Sequence, residues 1–559
     1  MFTPERSGVV VQQYGVVIVG AGSVGMMLAA ELTLAGVEVA LLERRPSQEL
    51  AGSRAGGLQS RTIEVFDQRG IAERFLEAGT TAQVQRFGEV TLDISDFPTR
   101  HPYGLGLWQN RIEAILAEWL SELGVTIHYG CEVTGVEPDE AGVTVRLGDG
   151  HPVLEGAGST ATDGAIESTA GDGHPVLEGA GSTATNGAIE STAGDGHLGG
   201  AHALRAQYVV GCDGGRSLVR KAAGIDFAGW DATVSNLVAE VEYGAPPEFG
   251  MKHDALGSHG IGPISPGSET VRVVVTESEL RQGAAEPTLD DLRAAMRAVW
   301  GTDFGVHSPT WISRFTDAAR QATSYRSGRL LIAGDAAHVH YPAGGQGLNI
   351  GVQDAVNLGW KLARVVTGRS PESLLDTYES ERHPVAARVL RDTLAQVGLR
   401  RSDERSVAVA EAVVELLSLD AARKRWGARL SGLGVRYDVA NGAAGHPLLG
   451  RRMPDLPLLV DERPLQMYTL LHAAQPLLIT FGQPLSGELL RPWRQYIRAV
   501  VATYDGAWEL PELGEVAAPA AVLVRPDGYV AWVGDGTEAG LVEALTTWFG
   551  TDEKETHKF

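Results

Sequence analysis

The sequence predicts an α/β protein: a Rossmann-type domain, interrupted by an antiparallel sheet and followed by a smaller α/β unit. Three observations predict it. An apolar strand, Val16–Val19, runs into the glycine-rich turn Gly20–Gly25, a helix ending near Gly36 and a second apolar strand, Val37–Leu42. Between about residues 229 and 324 this alternation gives way to strand-like stretches such as Asn236–Tyr243 and Thr270–Val275, with no long helical pattern before Leu289. Beyond about residue 445, strand signals at Leu477–Phe481, Ala521–Val524 and Tyr529–Val533 precede a helix near Gly540–Phe549.

Composition bounds the function. The 559 residues, 43% hydrophobic and 21% charged, suit a globular protein of several domains. No run of about 18 apolar residues occurs, so no membrane association is expected. The N-terminus has no signal-peptide pattern, and a cytoplasmic protein is the expectation. The two cysteines, Cys131 and Cys212, cannot build a disulfide framework or a cysteine-based zinc site, and no metal centre is expected. A net charge of −23 repels phosphate backbones, which argues against a nucleic-acid partner. A homo-oligomer is left open.

A repeat accounts for part of the glycine content. Residues 151–173, HPVLEGAGSTATDGAIESTAGDG, recur at 174–196 with Asp163 replaced by Asn186. Two copies are too few for a solenoid, and the apolar content is too low to offset the entropy of ordering them. The segment reads as an expanded surface loop. Its glycine spacing resembles a dinucleotide fingerprint, but no strand precedes it and no amphipathic helix follows.

The N-terminal fingerprint has the right context. Gly20 permits a tight turn, Gly22 lets the backbone approach a pyrophosphate, and Gly25 allows close helix–strand packing. The free N–H groups of the following helix face the phosphates. Glu43, at the end of the second strand, can accept hydrogen bonds from an adenosine ribose, and Arg44 follows it. An acidic residue there favours FAD or NAD over NADP. Two later segments decide between those. YVVGCDGGRSLVR, residues 208–220, ends a strand at Asp213-Gly214. RLLIAGDAAHVHYPAGGQGLNIGVQDAVNLGWK, residues 329–361, ends another at Gly334-Asp335. Its loop carries Pro342, Gly344, Gly345 and Gly347, and a helix begins near Leu348 and Asn349. Asp335 can bind ribityl or pyrophosphate groups. The glycine loop lets backbone lie flat against a planar ring, with the positive helix end behind it.

On these motifs, over about residues 14–400, the chain resembles the class A FAD-dependent aromatic hydroxylases, typified by para-hydroxybenzoate hydroxylase. Its layout is similar to the angucycline and anthracycline tailoring monooxygenases that carry a thioredoxin-like C-terminal domain. The resemblance implies an FAD domain over 1–228 and 325–400, a substrate domain over 229–324, a helical connector over 401–444 and a thioredoxin-like domain over 445–559. It implies that Asp213 serves both FAD and the nicotinamide donor and that Asp335 contacts the ribityl chain. Arg54 would lie near a mobile flavin, and Gln109 would contact FAD. No cysteine follows Cys212, so the last domain has a structural rather than a thiol redox role.

NADPH or NADH would then reduce FAD as a transient cosubstrate, and O2 would form a flavin hydroperoxide that oxygenates a small aromatic molecule, here a polycyclic polyketide. Hydroxylation and Baeyer–Villiger oxygenation both remain open. Among His253, His259, Arg272 and His307, and likewise His338 and His340, no residue can be assigned as catalytic acid or base. Arg272 is the main candidate partner for a carboxylate, should the substrate be a small phenolic acid. Two readings from other classes compete. A nicotinamide-dependent dehydrogenase has no use for the 329–361 segment, and a non-catalytic flavin-binding protein would keep every motif. Deletion of residues 151–196 should leave FAD content and turnover within about twofold, because loop-closure entropy changes by less than ~1 kcal/mol when such a loop is halved. Flavin absorbance and steady-state assays of the shortened protein measure this.

Overall fold

The computed structural model describes residues 13–50, 52–53, 56–148, 203–265, 267–281, 285–401, 403–439 and 445–550. The tandem repeat and Arg54 lie outside the described residues. The chain opens with β1 (Gln13–Val19), α1 (Ser23–Leu34) and β2 (Val39–Leu42), followed by α2 (Gln109–Glu122) and β3 (Ile127–His128). Then come β4 (Val133–Pro138), β5 (Val143–Leu147) and β6 (Ala203–Gly211). β1 pairs in parallel with β2 on one side and β6 on the other, so the chain leaves β1 in opposite directions. A sheet that reverses in this way opens a crevice at its carboxyl edge. β5 and β6 pair antiparallel, with Val143 opposite Ala206, so the repeat joins two hairpin strands as expected.

A five-stranded antiparallel sheet follows, made of β7 (Ser235–Glu242), β8 (Gly250–His253), β9 (Ser258–Pro263), β10 (Thr270–Thr276) and β11 (His307–Thr316). Alternate residues point to opposite faces of a strand. Leu237, Ala239, Val241, Val271, Val273 and Val275 therefore bury one face. They pack against Leu292, Ala295, Met296 and Val299 of α3 (Leu289–Trp300). Thr288 starts that helix with a capping box, its hydroxyl accepting from the Asp291 N–H while the Asp291 carboxylate accepts from the Thr288 N–H. The opposite face turns to the first domain. There Arg272 lies 4.8 Å over the Trp108 ring, and a Cβ on Gly52 would fall 2.4 Å from the Trp311 ring.

β12 (Arg326–Ser327) and β13 (Leu330–Ile332) return to the first sheet, β13 parallel to β6. α4 (Gln346–Val366) then packs along α1, where a Cβ on Gly351 or Gly359 would meet Val24 or Glu31 at 2.6 and 2.5 Å. α4 begins at Gln346, a few residues before the expected start near Asn349. α5 (Asp376–Leu399), α6 (Glu404–Leu417) and α7 (Asp420–Leu430) complete the helical region.

The C-terminal sheet contains β14 (Leu477–Phe481), β15 (Arg498–Ala502), β16 (Ala521–Val524) and β17 (Val530–Gly534), in the order β15-β14-β16-β17, and α8 (Leu541–Phe549) closes it. One parallel and two antiparallel pairings give the thioredoxin-like topology. β15 had no clear sequence signal: it is an edge strand with most of its residues exposed, so one-sided burial imposes no alternation.

The β16–β17 turn, Arg525-Pro-Asp-Gly528, plugs the C-terminal domain into the first. Arg525 donates to both Glu381 oxygens at 2.5 and 2.9 Å and to Asp527 at 2.6 Å. Lys361 reaches Glu381 at 2.8 Å, and Asn357 and Trp360 reach Asp527 at 3.2 Å. Burial alone would raise the Glu381 pKa, but Arg525 and Lys361 outweigh it and hold the carboxyl well below its ordinary value near 4.5. The unfolded chain therefore binds a proton at Glu381 at a higher pH than the folded one, and stability falls as pH falls below that value. Melting temperature should decline between pH 5 and pH 4 more steeply for the unmodified protein than for Glu381→Gln. At pH 7 the variant should be less stable by ~3–5 kcal/mol, the usual cost of breaking a buried pair.

Candidate active site

Four parallel strand ends converge on one edge of the first sheet. β1 ends just before Gly20, β2 just before Glu43, β6 shortly before Asp213, and β13 shortly before Gly334-Asp335. The fingerprint glycines divide by what surrounds them. A Cβ on Gly20, at φ +101°, would lie 2.5 Å from the Cys212 carbonyl oxygen, and one on Gly25 only 1.9 Å from the Gly20 carbonyl oxygen. Above Gly22 the nearest atom is Glu113 Oε1 at 3.8 Å, so that position faces open space.

Glu43 is buried and oriented by its neighbours. Its Oε2 accepts from the Ala21 N–H at 2.8 Å, and its Oε1 accepts from the Arg45 N–H at 2.9 Å. Arg45 also pairs with Glu113 at 3.3 Å and donates to the Ala21 carbonyl at 3.1 Å. Gln109, the first residue of α2, donates to Glu113 Oε1 at 2.8 Å. Glu43 and Gln109 are thus brought together through Arg45 and Glu113, two residues that the sequence reading did not select. Their signals were faint: Glu113 lies one helical turn beyond Gln109, and Arg45 lies beside Arg44. Arg44 itself is exposed.

Asp213 Oδ2 accepts from the N–H groups of Leu218 and Val219 at 2.6 and 3.2 Å. Its Oδ1 is buried with no protein partner. Arg220 staples this turn to the next, donating to the Gly215 and Ala336 carbonyls, both at 2.9 Å. Asp335 sits exposed on the turn Gly334–Ala336, which is held from beneath by Asp354 of α4. Asp354 also bonds His338 Nε2 and Arg382 Nε, both at 2.7 Å, so His338 is part of the support. His340 Nδ1 lies 2.8 Å from the Tyr341 carbonyl and carries the proton there. Its Nε2 is buried and unpartnered, and burial pushes its pKa down, which keeps the ring neutral.

Past the exposed Pro342, Gly344 and Gly345 adopt φ +67° and +63°, and α4 starts with no side-chain cap. Its first N–H groups are therefore unsatisfied by the helix itself. A Cβ on Gly347 would find its nearest atoms, in His340 and Asp335, at 3.6 and 3.8 Å. Leu348 is half-buried next to it. Asn349 locks this loop to the strand Gly56–Leu58, accepting from the Gln59 N–H at 2.8 Å and donating to the Gly57 and Gly345 carbonyls at 3.2 and 2.8 Å.

On the substrate side, the Phe315 and Tyr341 rings lie 5.8 Å apart. Arg272 is already engaged, bonded to Glu240 at 3.2 Å and stacked on Trp108. His259 is buried between Asp254 and the Thr276 N–H, while His253 and His307 are exposed. No cluster that could hold a metal ion occurs among the described residues, and none of their helices is long and apolar enough to cross a membrane.

Residues 13–155 and 176–393 match the FAD binding domain family, and residues 446–551 match the aromatic-ring hydroxylase C-terminal family. A 12-dehydrotetracycline 5-monooxygenase/anhydrotetracycline 6-monooxygenase of Streptomyces rimosus is 39% identical over 556 residues, covering 96% of this chain and 99% of the relative. The chain belongs to the FAD-dependent aromatic-ring monooxygenases. The solved structure of the anhydrotetracycline hydroxylase OxyS from Streptomyces rimosus superposes on this monooxygenase with a TM-score of 0.80 at 39% identity, over 96% of this chain and 99% of that one. A dialkyldecalin synthase of Streptomyces rugosporus is 35% identical over 542 residues, covering 96% and 98% of the two chains. Two substitutions separate the glycine roles. Gly25→Ala should misfold or lose its flavin, because nothing can relieve a 1.9 Å approach to backbone. Gly22→Ala should keep the unmodified melting profile of the apoprotein and lose FAD affinity; flavin fluorescence and thermal melts read both.

Proposed function

We propose that this monooxygenase consumes NADPH or NADH and O2 to hydroxylate a polycyclic aromatic molecule of polyketide type. The observation that carries the reading is the convergence of Glu43, Asp213, Asp335 and the uncapped start of α4 on one crevice, roofed by the outward face of the antiparallel sheet. The residues fit FAD. Gly22 and Gly347 leave room where backbone meets ligand, and Asp213 Oδ1 and His340 Nε2 are buried polar atoms with no protein partner, a costly state that a bound polar molecule relieves.

In this reading Glu43 accepts hydrogen bonds from the adenosine ribose, and the first turn of α1 faces the pyrophosphate. Asp213 and Asp335 take the polar chain between them, with Arg44 and Gln109 along it. Pro342, Gly345, Gly347, Leu348 and Asn349 present backbone to the ring system, whose negative charge the α4 N-terminus favours. Bound FAD supplies the redox chemistry, taking electrons from the nicotinamide donor and passing one oxygen atom of O2 to the substrate.

The protein's own contribution is placement and exclusion of water. Arg272 is spent on Glu240 and Trp108, so it is not free to pair with the carboxylate of a small phenolic acid. Phe315 and Tyr341 offer aromatic surface instead, and apolar area at ~25 cal/mol per Å2 can hold a multi-ring substrate with few polar contacts. Burial raises the Tyr341 pKa even with Arg400 nearby, so its hydroxyl stays protonated and can donate at neutral pH. The tetracycline-directed relatives support a polycyclic substrate. With 18O2 and tetracyclic aromatic quinones, one labelled atom should enter a ring hydroxyl while NADPH or NADH is oxidised. Label in a new ester would make the reaction Baeyer–Villiger. Conversion without O2 uptake would overturn the oxygenase assignment in favour of ring-forming chemistry, which the name of the synthase relative describes. Efficient coupled turnover of a simple hydroxybenzoate alone would overturn the polycyclic substrate.

A further inference from the structure

The outward face of the antiparallel sheet carries two glycines that neither backbone nor packing requires. β9 reads Ser258-His-Gly-Ile-Gly-Pro263, with His259 and Ile261 buried on the α3 side and Gly260 and Gly262 on the other face. Neither glycine has a positive φ. A Cβ on Gly262 would find no atom of the described residues within 4 Å. One on Gly260 would have the Met251 sulfur as its nearest neighbour, at 2.8 Å, and that flexible side chain is 66% exposed. Glycine weakens the interior of a strand, and where conformation does not call for it, it marks a surface that something else approaches closely.

Cross-strand register shows what adjoins this gap, because directly opposed residues of an antiparallel pair share a face. Gly260 stands between Met251 on β8 and Val274 on β10, and Val274 is opposed in turn to Val238 on β7. Gly262 is opposed to Arg272, which Glu240 already pairs and the Trp108 ring covers. The next row of the same face holds Thr276, Asn236 and Phe315, and Phe315 is the ring that approaches Tyr341 beside the flavin loop. Asn236 is 1% exposed; its Oδ1 accepts from the Thr276 hydroxyl at 2.8 Å, which leaves its Nδ2 as a donor, and Nδ2 has no partner. A buried amide N–H left unpaired is costly, and a ligand oxygen relieves it. Two strand spacings and two residues of rise separate Asn236 from Gly260, about 12 Å, roughly the length of four fused rings.

We propose that Gly260 and Gly262 form a trough for the outer rings of a neutral polycyclic aromatic substrate, that Asn236 Nδ2 donates to an oxygen at its inner end, and that the two missing side chains set how many rings the enzyme accepts. The inference rests on the oxygenase reading of this site and deepens it. Val238 and Val274 give the trough an apolar floor, and the soft, adaptable Met251 thioether borders it at the sheet edge. Arg272 is already paired, so a neutral ligand suits this face better than a carboxylate.

The test is fluorescence titration of the FAD-loaded enzyme, without a nicotinamide donor, using dihydroxynaphthacenequinone, which has four fused rings, and naphthol, which has two. Gly262→Val fills open space with a β-branched side chain that suits a strand, so the melting temperature should hold or rise. The variant should lose about tenfold more affinity for the four-ring ligand than for naphthol. Gly260→Ala, which has only the Met251 thioether to move, should shift selectivity in the same direction and less far. Asn236→Ala should weaken both ligands about fivefold, each having lost one hydrogen bond. Equal losses for the two ligands in Gly262→Val, or no loss, overturn the trough and leave the oxygenase reading standing. Unaltered binding of both ligands by Asn236→Ala overturns the anchor. Binding is read without turnover, so the two readings fail separately. A loss selective for four rings, in an enzyme that takes up no O2 with either ligand and NADPH or NADH, would sustain the trough and count against the oxygenase reading.

Discussion

Asp354 is fully buried on α4, and the flavin side of the molecule is built around keeping it ionised. Burial alone would drive its pKa up, but Arg382 and His338 outweigh that and hold it below the ordinary carboxylate value. Each contact fixes a different element: the Gly334 N–H sets the turn that presents Asp335, His338 holds the next stretch, and Arg382 ties in α5. Arg382 goes on to the Ile350 carbonyl and the Tyr437 hydroxyl, which carries the same constraint to the segment before the C-terminal domain. A charge so enclosed would be expensive without this complete set of partners. The crevice at the sheet edge can remain open because the layer below it cannot shift.

What could be read in the sequence follows from where side chains point. β13 and the last four residues of β1 and β6 are buried on both faces, so they appear as short apolar runs that lead into glycine or aspartate, and their roles were legible. The middle sheet was legible for the complementary reason, with one face packed on α3 and an alternating pattern. Arg45 and Glu113 were missed, and Arg220 was noted without a role, because a charged residue in a sequence reads as surface. Their partners lie 68 residues away for the first pair and 116 for Arg220. The same limit hid the Lys361–Glu381–Arg525–Asp527 cluster, whose members are apolar-core neighbours only after the domains have met.

The two sides of the substrate sheet illustrate how one strand can serve two environments. Arg272 and Glu240 face each other across β10 and β7 as a directly opposed pair, at register positions where an uncompensated charge would be desolvated. Burial lowers the Arg272 pKa, a sign that the guanidinium pays for its place and is retained by Glu240 and the Trp108 face. The result is an ion pair whose two charges offset each other on the face opposite the buried core of the sheet.

The turn Arg525–Gly528 changes what the C-terminal unit can be. In a protein with a separable accessory domain, the junction is a wet, exchangeable surface and the parts can be inherited, lost or swapped independently. Here a four-residue loop carries one cation and one anion into a dry socket that holds the opposite charges, Glu381 and Lys361, on the helices beneath the flavin loop. Remove the loop, and the socket keeps charges it was never shaped to hydrate. The C-terminal unit thus acts as a plug in the first domain, and neither part can be withdrawn without stranding buried charge in the other.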